Sequence, residues 1–299
     1  MHNIKIKIIL YITFTLLFTV LIVLLKPDNN QSVYEKDWFW INKTYPYKKF
    51  DIVIYGDSRV YRGISPEKFS EVFPSADIIN LGYSSGGINK QALEFALDKL
   101  GNNESKILVL GITPFSLTEK ARQNKHLLQE LNRPTGEVLE RKYIYPFLTA
   151  FEPIEINPFK LPENYQMKYH PTGWVESYKI KEDTTEALES YIKQFSETKL
   201  SQNSIAELET FIKEQKSNGI KIFGFRPPAS FSLEKIENEY SSFNEKEIRE
   251  LFIRNGAYWI EIPSRYSYHT YDGSHLHYLS AKKLSFFIAQ QIKYKIHLQ

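Results

Sequence analysis

Ile52-Val53-Ile54-Tyr55-Gly56-Asp57-Ser58 is the stretch whose reading decides the fold. Four apolar residues run straight into a glycine-containing turn that ends on a hydroxyl. A continuous apolar run of this length, bounded by a turn, predicts a strand covered on both faces rather than one side of an amphipathic ribbon. Outward from it the same signal returns at Ile78-Ile79-Asn80-Leu81, Ile107-Leu108-Val109-Leu110, Ile220-Lys221-Ile222-Phe223-Gly224-Phe225 and Tyr258-Trp259-Ile260-Glu261-Ile262. Helical patterns separate these runs, and strands alternating with helices predict an α/β fold with a five-stranded parallel sheet.

The helices carry start and stop signals. Ser65-Pro66 pairs a cap with a first-turn proline, and Asn89 opens a helix that stops near Gly101. Asn244 with Glu247 and Ser204 with Glu207 have capping-box spacing, with Gly256 and Gly219 as the respective stops. Ser280 is the expected cap of a last helix whose Leu284, Phe287 and Ile288 form an apolar stripe. Residues 115–201 break the rhythm: too long for one crossover and without a clear strand signal, they read as an insertion. Tyr143, Tyr145, Phe147, Phe151, Phe159, Tyr165, Tyr169 and Trp174 make it aromatic. Such a segment suits a cap over a substrate groove or a self-packed loop region.

Ile8 to Leu25 contains no charge and is interrupted only by Tyr11 and three threonines. That length is enough to cross a bilayer, for which about 20 apolar residues are needed. Lys5 and Lys7 favour a cytoplasmic N-terminus, so the rest of the chain is expected on the outer face of a bacterial cytoplasmic membrane as a single-pass protein. A cleaved signal peptide is the alternative; either way the domain is exported. The expected organisation is an anchor at 1–26, a tether and lead-in at 27–50, polar over 27–36, and the α/β domain at 51–299 with its insertion. Trp38 and Trp40 suit packing on that domain, the preferred reading, or a place near the lipid headgroups. The chain has 38 basic and 35 acidic residues, mixed along its length, which speaks against nucleic acid as a partner. The absence of cysteine excludes thiolate nucleophiles and cysteine-ligated zinc.

The chemistry-bearing residues converge by position. Ser58 follows the first strand, at the carboxyl end of a parallel sheet, where such sheets bind ligands. A serine hydroxyl needs a base, and Asp272-Gly273-Ser274-His275 supplies one: a carboxylate three residues from an imidazole can orient it and stabilise its charged form. Arg59 and Arg62 follow the nucleophile and could steer an anionic polymer or an acyl donor, or be ordinary surface arginines. His269 and His277 admit a metal site, but no further carboxylate or histidine cluster completes it, so neither metal nor cofactor is expected.

The order strand, Gly56-Asp57-Ser58, Asn80-Leu81-Gly82, Gly111-Ile112-Thr113-Pro114 and terminal Asp272-Gly273-Ser274-His275 resembles the SGNH (GDSL-type) hydrolase superfamily over residues 51–299. The resemblance implies a flavodoxin-like three-layer α/β/α sandwich, Ser58 as nucleophile, Asp272 and His275 completing the triad, and an oxyanion hole from the amides of Ser58 and Gly82. The family's third block reads Gly-x-Asn-Asp; here the asparagine is absent, so either Thr113 or a backbone amide substitutes, or turnover is slow. The run from Gly56 to Pro66, with the N-terminal span, is similar to membrane-anchored SGNH-like proteins of envelope modification. That similarity implies a cell-envelope carbohydrate polymer as substrate and a multispanning membrane acyltransferase as partner, with the chain acting as esterase or O-acyltransferase, or as an idle binding or scaffold module.

Overall fold

The computed structural model describes residues 2–25, 33–45, 48–101, 106–152 and 164–297. In chain order the strands are β1 (Ile52–Tyr55), β2 (Ile78–Asn80), β3 (Ile107–Gly111), β4 (Tyr165–Tyr169), β5 (Val175–Lys179), β6 (Lys221–Phe225) and β7 (Tyr258–Ile260). Five of them form one parallel sheet in the order β2-β1-β3-β6-β7, the flavodoxin-like order. All five had announced themselves as continuous apolar runs.

Both faces of that sheet are covered, which is why those runs do not alternate. Val53, Tyr55, Leu108 and Leu110 point to one core, closed by α5 (Lys90–Asp98), α11 (Gln202–Ser217) and α13 (Glu245–Arg254) through Leu93, Phe211 and Phe252. Ile52, Ile54, Ile107 and Val109 point to the other, closed by α3 (Ser58–Gly63), α4 (Pro66–Ser70) and α14 (Tyr278–His297) through Val60, Phe69 and Leu284. Odd and even strand residues thus fill separate cores, and the result is a three-layer α/β/α sandwich. The switch in strand order falls between β1 and β3, and Ser58 starts the helix that leaves β1 there.

Caps follow the expected chemistry, with two shifts. Asn89 accepts from Ala92 N, and Asn244 from Lys246 N and Glu247 N. The cap of α11 is Ser201, not Ser204, which lies buried inside the helix; the Ser201 amide donates to Leu117 O at 2.8 Å and fixes the start of the helix there. Ser280 is likewise inside α14; its hydroxyl accepts from the His269 amide at 2.8 Å and so ties the loop before the helix to it.

The insertion corrects the expectation that it holds no strand. Tyr165–Tyr169 and Val175–Lys179 pair as an antiparallel hairpin, whose tip is joined to β2 by the Asn80 amide donating to Thr172 O at 2.9 Å. Trp174 is fully buried and donates to Arg62 O, so it belongs to the core and not to a groove. In chain order the hairpin is preceded by α6 (Glu119–Arg122), α7 (His126–Leu131), α8 (Thr135–Leu139) and α9 (Tyr145–Leu148) and followed by α10 (Thr185–Glu197); α12 (Phe231–Ser241) follows β6. Phe159 lies outside the described residues.

At the N-terminus α1 (His2–Leu25) carries the apolar span Ile4–Ile22, almost wholly uncovered by protein. Residues 27–32 of the expected tether lie outside the described residues, and helix α2 (Val33–Thr44) lies within the expected lead-in at 27–50. The helix docks through Phe39 and Ile41, and Trp40 packs on Tyr61 and Tyr83 at 5.7 and 4.8 Å. Lys43 is buried with it and donates to Gly173 O at 2.8 Å.

Candidate active site

Three elements bring the site together: the β1–α3 turn, the loop before α14 and the tip of β3. Asp57 caps α3, its carboxylate accepting from Arg59 N at 3.0 Å, so Ser58 is the first residue of the helix. An amide at that position has no acceptor within its own helix. The loop from His269 to His277 is closed by Tyr271 N donating to His275 O and His277 N to His269 O. Within it Gly273 takes φ +83°, a left-handed turn that a side chain would strain, and its carbonyl accepts from Ser230 N at the start of α12.

That turn folds Asp272 back onto its own loop. Its Oδ1 accepts from Ser274 N at 2.9 Å and from His275 N at 2.7 Å, while Oδ2 meets His275 Nδ1 at 2.8 Å. The other ring nitrogen, Nε2, lies 2.9 Å from Ser58 Oγ. The structure therefore brings Ser58, His275 and Asp272 into one hydrogen-bonded chain. Burial alone would raise the Asp272 carboxyl, but the hydrogen bonds from His275 and the two amides hold it below the usual carboxylate range. Burial lowers the His275 imidazole to about 4, with Arg62 and Arg59 acting the same way and Asp272 opposing them. At neutral pH the ring is uncharged and free to accept a proton.

The oxyanion candidates stand differently. Gly82 N donates to Asn80 Oδ1 at 2.9 Å, and Asn80 is itself fixed by donating to Val60 O and Ile64 O. Thr113 is fully buried; its hydroxyl donates to Asp57 Oδ2 and its amide to Ser116 Oγ at 3.1 Å. Both of its donors are engaged in this arrangement, and its hydroxyl braces the carboxylate that caps the helix beginning at Ser58. At Gly111 a Cβ would come within 2.3 Å of the Val60 side chain, which packs α3 over the strand end.

The two arginines part company. Arg59 is 3% exposed: it pairs with Glu237, donates to Ser274 Oγ at 3.2 Å, and stacks on the Tyr191 ring at 5.3 Å. Glu237 in turn pairs with Arg226 at 2.9 Å. The reading of Arg59 as an ordinary surface arginine gives way to burial: a buried guanidinium needs a carboxylate, and this one has it. Arg62 is half-buried between the rings of Tyr61 and Tyr165, at 5.1 and 5.3 Å, and donates to Tyr271 OH at 3.3 Å. Tyr271 stacks on His275 at 6.0 Å and also bonds Tyr165 OH and Ser177 Oγ. Sequence reading missed Asp57, Tyr271, Ser274 and Glu237, of which only Asp57 had a signal, its cap position; Tyr165 is one of the insertion's aromatics it did single out.

His269 and His277 do not converge on a metal-binding group: His269 pairs with Glu182 at 2.7 Å, and among the described residues no three histidine or carboxylate side chains gather as ligands would. No protein-family model matches the chain, and no curated protein does. Among solved structures it is similar to a protein provisionally named a platelet activating factor from Streptococcus pneumonia, at 13% identity, over 88% of this chain and 92% of that one, with a TM-score of 0.37. It is similar also to a provisionally assigned acylhydrolase from Bacteroides fragilis, at 12% identity, over 89% of this chain and 99% of the other, with a TM-score of 0.37.

Proposed function

We propose that this chain carries out serine-dependent acyl-ester chemistry as an SGNH-like enzyme. The single observation behind this reading is the unbroken chain from Ser58 Oγ through both His275 nitrogens to Asp272. Ser58 Oγ attacks the ester carbonyl as Nε2 takes its proton. Asp272 holds the ring in the tautomer that leaves Nε2 free and stabilises the imidazolium. Collapse of the tetrahedral adduct breaks the ester C–O bond, and the imidazolium returns the proton to the leaving alcohol. Water then releases the acid, or a sugar hydroxyl takes the acyl group.

Transfer to an extracytoplasmic envelope polymer is the preferred outcome, because the uncovered span of α1 would keep the domain beside a membrane source of acyl groups. Arg62, aromatic on two sides and close to the triad, is the residue placed to meet an anionic part of donor or polymer. One observation favours a second reading, a binding or scaffold module that partners a membrane acyltransferase. Of the three oxyanion candidates, Gly82 and Thr113 already donate elsewhere, and loss of one donor typically costs about 10²- to 10³-fold in kcat.

Intact-mass analysis of the full chain in detergent after fluorophosphonate treatment decides between them. A stoichiometric adduct on the wild type, absent from Ser58→Ala and His275→Ala, supports catalysis. A folded wild-type chain that takes no adduct rules the catalytic reading out in favour of the scaffold.

A further inference from the structure

From Thr135 to Phe151 the insertion forms a nearly continuous helical run: α8, a π-turn at Glu140–Ile144, α9 and a 3-10 turn at Thr149–Phe151. Its polarity is the reverse of a water-facing helix. Leu139, Tyr143, Ile144, Phe147 and Phe151 are exposed, Phe151 to 70%, and their spacing places them along one side. The charged groups mostly turn inward. Arg141 pairs with Asp37 of α2 at 3.1 Å and with Glu137 at 2.7 Å, and Lys142 reaches Tyr45 O at 3.4 Å. Tyr145 packs edge-on against Tyr34 at 4.8 Å. Of the charged residues from 137 to 151 only Glu140 is exposed. A helix meeting water would bury the phenylalanines and expose the arginine.

The neighbourhood of this stripe indicates what covers it. The apolar helix α1 packs against α9 and against the Thr149–Phe151 turn. Only seven residues separate α1 from α2, a reach of about 25 Å at most. Whatever medium surrounds α1 therefore extends to the stripe beside it. We infer that residues 135–151 form an in-plane helical anchor whose Leu139, Ile144, Phe147 and Phe151 dip into the interfacial layer of the lipid bilayer that α1 crosses, with Tyr143 at headgroup level. The inference rests on α1 being a membrane span. It adds a second contact, which fixes the orientation of the domain on the bilayer where a single helix and a short linker would leave it free to swing.

The chain has no cysteine, so single labels can be placed cleanly. Full-length Ile12→Cys, Phe147→Cys and Ile253→Cys proteins, each carrying a polarity-sensitive fluorophore, are reconstituted in phosphatidylcholine–phosphatidylglycerol vesicles with brominated acyl chains. Strong quenching at 12, clear quenching at 147 and none at 253 is expected. Quenching at 12 without quenching at 147 overturns the inference and leaves the span standing. Quenching at neither removes both, and equal quenching at 147 and 253 overturns the inference by showing unspecific adsorption. A label at 147 that is shielded from aqueous iodide but untouched by brominated lipid assigns the stripe to a protein partner, and also overturns it. Phe151→Cys, at the most exposed position of the stripe, repeats the test should the Phe147 variant fold poorly.

Discussion

Arg59 and Arg62 sit three residues apart on the one short helix that begins at Ser58, and end in opposite electrostatic settings. Arg59 is sealed in a network with Glu237, Arg226 and Ser274 that joins α3, α12 and the loop carrying the triad's acid and base. Arg62 is held by tyrosine rings and a tyrosine hydroxyl, and among the described residues no carboxylate is within ion-pair distance of it. A charge matched by a buried partner acts on the fold. A charge left unmatched next to an imidazole acts on the chemistry. The difference teaches that proximity to a catalytic serine does not by itself assign a residue to substrate.

The largest effect is expected where the match is broken. Arg59→Ala leaves Glu237 buried with only Arg226 and removes a bond to Ser274, and breaking a buried pair from one side typically costs about 3–5 kcal/mol. Denaturant unfolding should show that loss, and Arg59→Met with Glu237→Gln should recover much of it, because the uncompensated charge is then gone. An Arg59→Ala protein of unchanged stability with a raised KM would break the comparison and return Arg59 to the substrate.

A smaller loss is expected at the other end of the same brace. Thr113→Val keeps the shape of the side chain but deletes its hydrogen bond to Asp57, and bonds to charged groups are worth about 1.5–3 kcal/mol. Burial already pushes the Asp57 carboxyl up, and losing this donor pushes it further. Stability and fluorophosphonate reactivity should fall together, since Asp57 caps the helix that presents Ser58. If instead kcat drops about 10²-fold or more at unchanged stability, Thr113 serves the oxyanion directly, as its place in the sequence suggests.

How much of this was legible follows from sequence separation. The five sheet strands were readable because burial on both faces leaves an unbroken apolar run, and Asp272 with His275 because their bond spans three residues. Ser58 was found from its place at a strand end. Glu237 lies 178 residues from Arg59, and no local pattern announces that pairing. The hairpin was missed because β4 is half-exposed on both faces and its residues, Tyr-Gln-Met-Lys-Tyr, lack an alternation that could be told from a loop. Thr113 is a related case: the sequence shows a hydroxyl close to the place of the missing asparagine but not that it already donates to Asp57.

The smallest effect is the one that isolates Arg62. His275 works as a base only when neutral, so kcat/KM should rise with pH through about 4 and be flat from there to neutrality. Arg62 is among the groups that lower that ring, after burial itself, because a fixed positive charge disfavours a second one nearby. Arg62→Gln removes the charge while keeping a donor for Tyr271, and the imidazole then holds its proton to higher pH. The acid limb should move upward, so that the rate at pH 5 relative to pH 8 falls by about two-fold for a shift of one unit. Arg59→Met should move it less, since Arg62 precedes Arg59 among the groups that lower His275. The same Arg62→Gln protein sharpens the comparison through its substrates. If Arg62 also meets an anionic group, KM should rise for a negatively charged ester and stay unchanged for a neutral one of equal size. A shifted limb with equal KM for both would keep Arg62 as a tuner of the base, and an unmoved limb would place its charge outside the reach of His275 altogether.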